Sequence, residues 1–298
     1  MGLPTAVKKK LPLFAALLLV ISLAGAFFLR SPVLIVTDAS FYQLYGSRRV
    51  TRALARNSLQ LFRRVIPVPV SEQAGADVIA LVVERASRSP RAVLFPQRYI
   101  DAAGIFNDRH PEVPVLVMWG RNPLPQALLQ DTGLVFVRTS VAVDLYRAGL
   151  SAAVLAREAE GVLFFTDGNL QEQYREAFGR GLQDQGFSGE PLYLDAYTED
   201  ISYEGIGSVV LAGPAAEFLE QNLHIPVILF SWLDPARTPR TVKIVFNDSP
   251  LAQAVGALRA FPAGGEIIVP SRVTVISDRI EERDDVRKLE RLIRNQAF

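Results

Sequence analysis

The sequence predicts an α/β protein made of two similar lobes, each a parallel sheet covered by helices. Three observations carry that reading. The stretch VLIVTD at Val33 is answered by VLFFTD at Val162, and a helical pattern follows each copy. Each half later has a proline-led apolar strand ending in tryptophan, VPVLVMW to Trp119 and IPVILFSW to Trp232. Continuous apolar strands alternating with amphipathic helices indicate parallel sheets buried on both faces. The chain has 298 residues, 49% of them hydrophobic, which is enough for two cores.

The elements follow in order. Lys8, Lys9 and Lys10 precede an apolar run from Leu11 to Leu29, with small residues at Ala24 and Ala26. A basic start, an apolar stretch and an A-x-A pattern make a secretory leader over residues 1–26. An uncleaved anchor is the alternative, since about 20 apolar residues span a bilayer. Either way the remainder is expected outside the cytoplasm, in the periplasm or on the outer face of the membrane. After VLIVTD, Leu54, Leu61 and Phe62 recur at near-helical spacing. VIPVPV reads as an edge strand because of its two prolines. A helix opened by Ser71 is expected next. The strand RAVLFP, a helix over YIDAAGIFNDRH, and the strands VPVLVMW and LVFVRT complete the first half.

The second half opens on a helix whose face is Val141, Leu145, Ala148, Ala152 and Leu155. VLFFTD leads into a helix with Leu170, Tyr174, Ala177, Phe178 and Leu182 on one stripe. Gly181 shares that stripe, where it would let the helix approach a sheet, and Gly186 ends the helix. PLYLDAY, SVVLAG, a helix over AAEFLEQN and PVILFSW follow. TVKIVFN, a return helix over SPLAQAVGALRAF, the strand-like EIIVPSRVTVIS and a charged helix with Val286, Leu289 and Leu292 inward make the tail.

Composition excludes several classes of function. A net charge of +1 gives no bulk support for a nucleic-acid surface. The absence of cysteine excludes disulfides, thiolate metal sites, a cysteine nucleophile and a lipid-modified cysteine. His110 and His224 are the only histidines, so a histidine-rich metal site is not expected. No P-loop or G-x-S-x-G motif appears, and no cofactor is expected. Strand-end carboxylates have no nucleophile paired with them, and GRGLQDQG lies within a helix, where it cannot cradle a pyrophosphate. The chain is therefore read as a binding protein, with a two-lobed nucleotide-sugar transferase as the enzymatic alternative.

The stretch VDLYRAGLSAAVLAREAEGVLFFTDGNLQEQYREAFGRGLQDQG resembles the type I periplasmic binding proteins, the two-lobed solute-binding fold shared with the sugar-repressor core. IPVILFSWLDPARTPRTVKIVFNDSPLAQAVGALRAF and VPSRVTVIS resemble that family's following sections. DASFYQLYG, through Asp38, Ser40 and Phe41, is similar to the nucleoside-binding group of basic membrane proteins. Tyr42 stands where that group has asparagine, and Thr166 and Asp167 stand where it has a glycine pair. The resemblance implies two Rossmann-like lobes joined by hinge segments near Thr139, Asn247 and Pro270. One comprises residues 31–139 and 248–270, the other residues 140–247 and 271–298. It implies a monomeric receptor of an ABC-type importer that binds a nucleoside or sugar between its lobes and delivers it to a membrane permease. A membrane-anchored sensor or scaffold on the same fold is the alternative.

In parallel α/β sheets, ligands bind outside the carboxyl ends of the strands. That edge supplies Asp38, Phe41, Tyr42, Trp119, Asn122 and Arg138 from the first half. Asp167, Asn169, Trp232 and Asp234 come from the second, with Asp195 and Tyr197 beside them. Aromatic faces and hydrogen-bonding carboxylates and amides suit a small neutral polar ring. Other roles are open to several of them. Asp38 and Asp167 are also suited to capping helices, Trp119 and Trp232 to the core, and Arg138 to a hinge ion pair.

Overall fold

The structure is a computed structural model that describes residues 18–295. Exceptions are 20, 121–123, 130–132, 158, 167–170, 196–201, 213–217, 220–223, 232–237, 248–251, 253–256 and 259–264. Two six-stranded sheets organise the chain. The first contains β1 (Val33–Thr37), β2 (Val65–Pro69), β3 (Ala92–Pro96), β4 (Val115–Gly120), β5 (Val135–Thr139) and β11 (Gly265–Val269), in the order β11-β5-β4-β3-β1-β2. The second contains β6 (Gly161–Phe165), β7 (Pro191–Leu194), β8 (Ile206–Leu211), β9 (Val227–Phe230), β10 (Val242–Asn247) and β12 (Arg272–Val275), in the order β12-β10-β9-β8-β6-β7. The two orders superpose strand for strand, with β1 on β6 and β4 on β9. The repeated sequence therefore builds the same topology twice.

Sheet polarity follows the composition. β1 pairs in parallel with β2 and β3, and β3 with β4. β6 pairs in parallel with β7 and β8, β8 with β9, and β9 with β10. All five residues of β1 are buried, as strands covered on both faces require. Pro67 and Pro69 do place β2 at an edge, where their missing N–H groups interrupt no ladder.

The chain divides into two compact units. One comprises residues 1–118, 126–136 and 258–265, the other residues 119–125, 137–257 and 266–298. In the first, α1 (Ala39–Tyr45) and α2 (Ser47–Leu61) follow β1. α3 (Ala76–Ala86) begins at Gly75 rather than Ser71. Ser71 instead closes a turn, its carbonyl accepting from Ala74 N at 3.1 Å and its hydroxyl from Gln73 N at 3.3 Å. A serine four residues before a glycine can serve either start, and here the turn takes it. α4 (Ile100–Arg109) comes after β3, and the short α5 (Gln126–Leu129) after β4.

In the second unit, α6 (Val141–Ala156) lies against α7 (Glu172–Asp184). A Cβ on Gly181 would lie 2.2 Å from the Tyr146 carbonyl oxygen, and one on Gly149 would lie 2.2 Å from that of Phe178. Gly181 thus admits a neighbouring helix, not a sheet, and Gly149 answers it from the facing helix. α7 ends in a Schellman motif: Gly186, at φ 80°, donates to Gln183 O, and Phe187 N donates to Leu182 O. The expected stop at Gly186 is borne out.

EIIVPSRVTVIS is two strands rather than one. Val269 ends β11 in the first sheet, and Arg272 starts β12, antiparallel to β10 in the second. Proline at 270 cannot continue a ladder, which is the local reason for the break. α8 (Arg283–Asn295) closes the described chain, with Leu289 fully buried and Leu292 packed on the same cluster. At the other end, residues 21–29 are helical, and Leu23, Phe28 and Leu29 are exposed. Among the described residues, no helix is long and apolar enough to cross a membrane.

Candidate functional site

The carboxyl edge of the first sheet is where β1, β2 and β3 release their loops, and these loops meet around Asp38. Asp38 is 3% exposed and caps α1, its Oδ1 accepting from Phe41 N at 2.7 Å. Its Oδ2 accepts from the Tyr99 hydroxyl at 2.6 Å and forms an ion pair with Arg98. Arg98 also approaches Glu72 Oε1 at 3.5 Å. The same Glu72 oxygen accepts from Ser40 N at 2.7 Å and the Ser40 hydroxyl at 2.5 Å. A single guanidinium thus lies between two carboxylates.

The electrostatics follow from these contacts. The Ser40 hydroxyl, and then its backbone N–H, stabilise the charged form of Glu72 and hold its carboxyl below the usual range. Burial pushes the Tyr99 phenol up, although Arg98 opposes this, so Tyr99 remains a hydrogen-bond donor to Asp38. Arg98 lies over the Tyr99 ring at 4.9 Å, which fixes the guanidinium plane.

The other anticipated residues separate into groups. Phe41 is buried, with its ring 6.1 Å from half-buried Tyr42 in an edge-on pair. Trp119 is 8% exposed at the carboxyl end of β4. Arg138 pairs with Glu266 at 2.5 Å, linking β5 to β11, so the ion-pair role is the one the structure displays. Asp195 is exposed after β7. Asn122, Asp167, Asn169, Tyr197, Trp232 and Asp234 lie outside the described residues. The structure therefore brings together Asp38, Phe41 and Tyr42 and adds Ser40, Glu72, Arg98 and Tyr99 to them.

Arg98, Tyr99 and Glu72 were absent from the sequence-derived set, although the strand-end rule points to them. RAVLFP is followed immediately by QRY, and VIPVPV by SE. Applying the rule to the carboxyl ends of β2 and β3 as well as β1, β4 and β5 would have found them.

No family model matches the sequence, and no curated protein sequence matches it. Solved structures do. A transcriptional activator of the comK gene from Bacillus halodurans is 12% identical, with a TM-score of 0.58 over 90% of this chain and 96% of that one. An ABC transporter solute-binding protein from Conexibacter woesei is 14% identical, with a TM-score of 0.51 over 90% of this chain and 97% of that one. A LacI transcriptional regulator from a Rhodococcus species is 14% identical, with a TM-score of 0.48 over 82% and 96%. Two parallel-dominated sheets of matching strand order with flanking helices make this the type I periplasmic-binding fold. The solved structures that share it include solute-binding proteins and transcriptional regulators, so the fold alone does not choose between those roles.

Proposed function

We propose that the protein is an extracytoplasmic solute-binding receptor that serves an ABC-type permease and takes a small neutral polar ligand, a nucleoside or a sugar. The observation that carries this reading is the charge balance at the carboxyl edge of the first sheet. Arg98 is compensated there by Asp38 and Glu72, so an anionic ligand would compete with two resident carboxylates. Ser40, Tyr42 and the outer face of Glu72 supply hydroxyl, aromatic and carboxylate groups. Asp38 and Phe41 support that surface from behind. Trp119, Asn122 and Arg138, and in the second half Asp167, Asn169, Trp232 and Asp234, complete the proposed ligand set. No covalent step is assigned to it, and the unit of action is a monomer.

A panel of nucleosides and neutral sugars, screened by thermal shift, tests the reading, because a bound ligand raises apparent stability by mass action. A hit should be weakened by Tyr42→Ala and by Trp232→Ala while the folds of both variants persist. Binding only of anionic compounds, or a hit indifferent to both substitutions, would sink it.

A second reading is a receptor or sensor that keeps its N-terminal segment as an anchor, and one packing contact involves the residues just after Ala26. Phe62 ends α2 at φ 49°, a left-handed conformation uncommon for an aromatic residue. Its ring meets Phe27 edge-on at 5.8 Å and lies under Arg30 at 4.9 Å. Cleavage after Ala26 would retain both partners, and so would an intact anchor. Mass spectrometry of the protein from its native envelope separates these: a terminus at Phe27 supports the released receptor, and an intact Met1 supports the anchor.

A further inference from the structure

The second sheet has an irregularity at its amino edge, the side opposite the strand ends considered above. Between β6 and β8, Gly161 pairs with Ile206 but Val162 with Ser208, so Gly207 is an extra residue. Between β9 and β10, Val227 pairs with Val242 but Ile228 with Ile244, so Lys243 is an extra residue. Bulges are rare in parallel ladders, and their usual effect is to re-aim a side chain. Both of these open on one recess of about 240 Å³, lined by Arg157, Gly207, His224, Lys243, Arg279 and Glu281 among others. A side chain at Gly207 is excluded, since its Cβ would lie 2.4 Å from that of Ala159.

The charges within this recess do not cancel. Arg157 is satisfied by Glu282 at 3.1 Å and Asp285 at 3.2 Å. Arg279 directs Nη1 at Thr238 Oγ1 and the Pro239 carbonyl. Lys243 Nζ donates to the Arg279 carbonyl, leaving two of its three protons without an acceptor among the described residues. Burial lowers the Lys243 pKa; Glu281 opposes this, and Arg279 adds to it by a smaller amount. Arg157, Lys243 and Arg279 line the recess with Glu281 and Asp285, an excess of one positive charge.

We propose that this recess is a second ligand site for a small oxyanion, a carboxylate or a phosphate, which accepts from Lys243 with His224 at the rim. The bulge at Lys243 brings an ammonium with unpaired N–H donors to a recess with room for a small anion. Charge-assisted bonds of this kind are the stronger class of hydrogen bond. The site lies wholly within the second unit and does not depend on the receptor reading.

The test uses the full chain with sodium phosphate and sodium acetate, against sodium chloride at matched ionic strength, read by thermal shift and calorimetry. At least one oxyanion should give saturable stabilisation that chloride does not, and which one does so distinguishes phosphate from carboxylate. Lys243→Met should weaken that binding by roughly tenfold or more. Glu281→Gln, which removes the competing acid, should tighten it and keeps the test decisive where Lys243→Met does not fold. No saturable effect beyond chloride, or binding unmoved by Lys243→Met or by Glu281→Gln, overturns the proposal.

Discussion

The two sheets share a strand order, but they are secured by different means. The first is regular in the pairings β1–β2, β1–β3 and β3–β4, and its distinctive chemistry is polar, at the carboxyl edge. The second has two bulges at its amino edge and a glycine-lined crossing between α6 and α7. Near that crossing, α6 carries a buried polar clamp. Asp144 accepts from Ser271 N at 2.9 Å, and Arg147 donates to the Ser271 carbonyl at 3.3 Å and the Ile293 carbonyl at 2.7 Å. Both side chains are nearly inaccessible and lie 3.9 Å apart, so the opposite charge and the backbone partners together offset the burial of each charge. One topology can thus be held by polar contacts at the strand ends in one copy and by a close helix crossing with a buried polar clamp in the other.

The largest expected effect tests the packing side. Gly181→Ala puts a methyl group into the Tyr146 carbonyl and should cost about 3 kcal/mol or more, because backbone on both helices must move. Hydrogen exchange should show the loss in the second unit, with β1, β3 and β4 still protected. Uniform loss, or none, would remove the distinction between the units. Arg147→Met comes next, at about 2–3 kcal/mol, since the Ser271 and Ile293 carbonyls lose their donor and Asp144 loses the cation beside it. Urea unfolding should show it, with increased exchange around Ser271 and α8; a variant as stable as the parent would mean that the clamp adds nothing.

Asp38→Ala should be smaller, at about 1–2 kcal/mol, from a lost cap and an unpartnered Tyr99 hydroxyl. Its effect should be confined to the first unit, and protection loss centred on α6 and α7 would contradict that. The smallest effect concerns pH. The folded pKa of Glu72 is depressed, so its contribution is complete above the ordinary glutamate range and is lost as pH falls through the folded value. Glu72→Gln should flatten the acid limb of a stability–pH curve and leave neutral pH almost unchanged. Identical acid limbs would show that the Ser40 contacts do not couple to folding.

Among the described residues, strand and helix order, the duplicated topology and the edge position of β2 were legible in the sequence, because each rests on residues close together in the chain; the helices expected over AAEFLEQN and SPLAQAVGALRAF lie largely outside those residues. Apolar runs mark buried strands, Pro67 and Pro69 mark an edge, and Gly186 marks a helix end whatever lies beyond it. Asp38 was legible as a residue of consequence for the same reason, since an N-cap requires only the three residues that follow. Tertiary structure alone decided which long-range partners met. Arg98 reaches Asp38 because β1 and β3 are neighbours in the sheet, and Gly181 meets Gly149 because α6 and α7 cross. Val269 and Arg272 enter different sheets although the strand pattern between them looks continuous. The bulges at Gly207 and Lys243 are likewise invisible in sequence. Register is a relation between two strands, and a one-residue slip is encoded by neither strand alone.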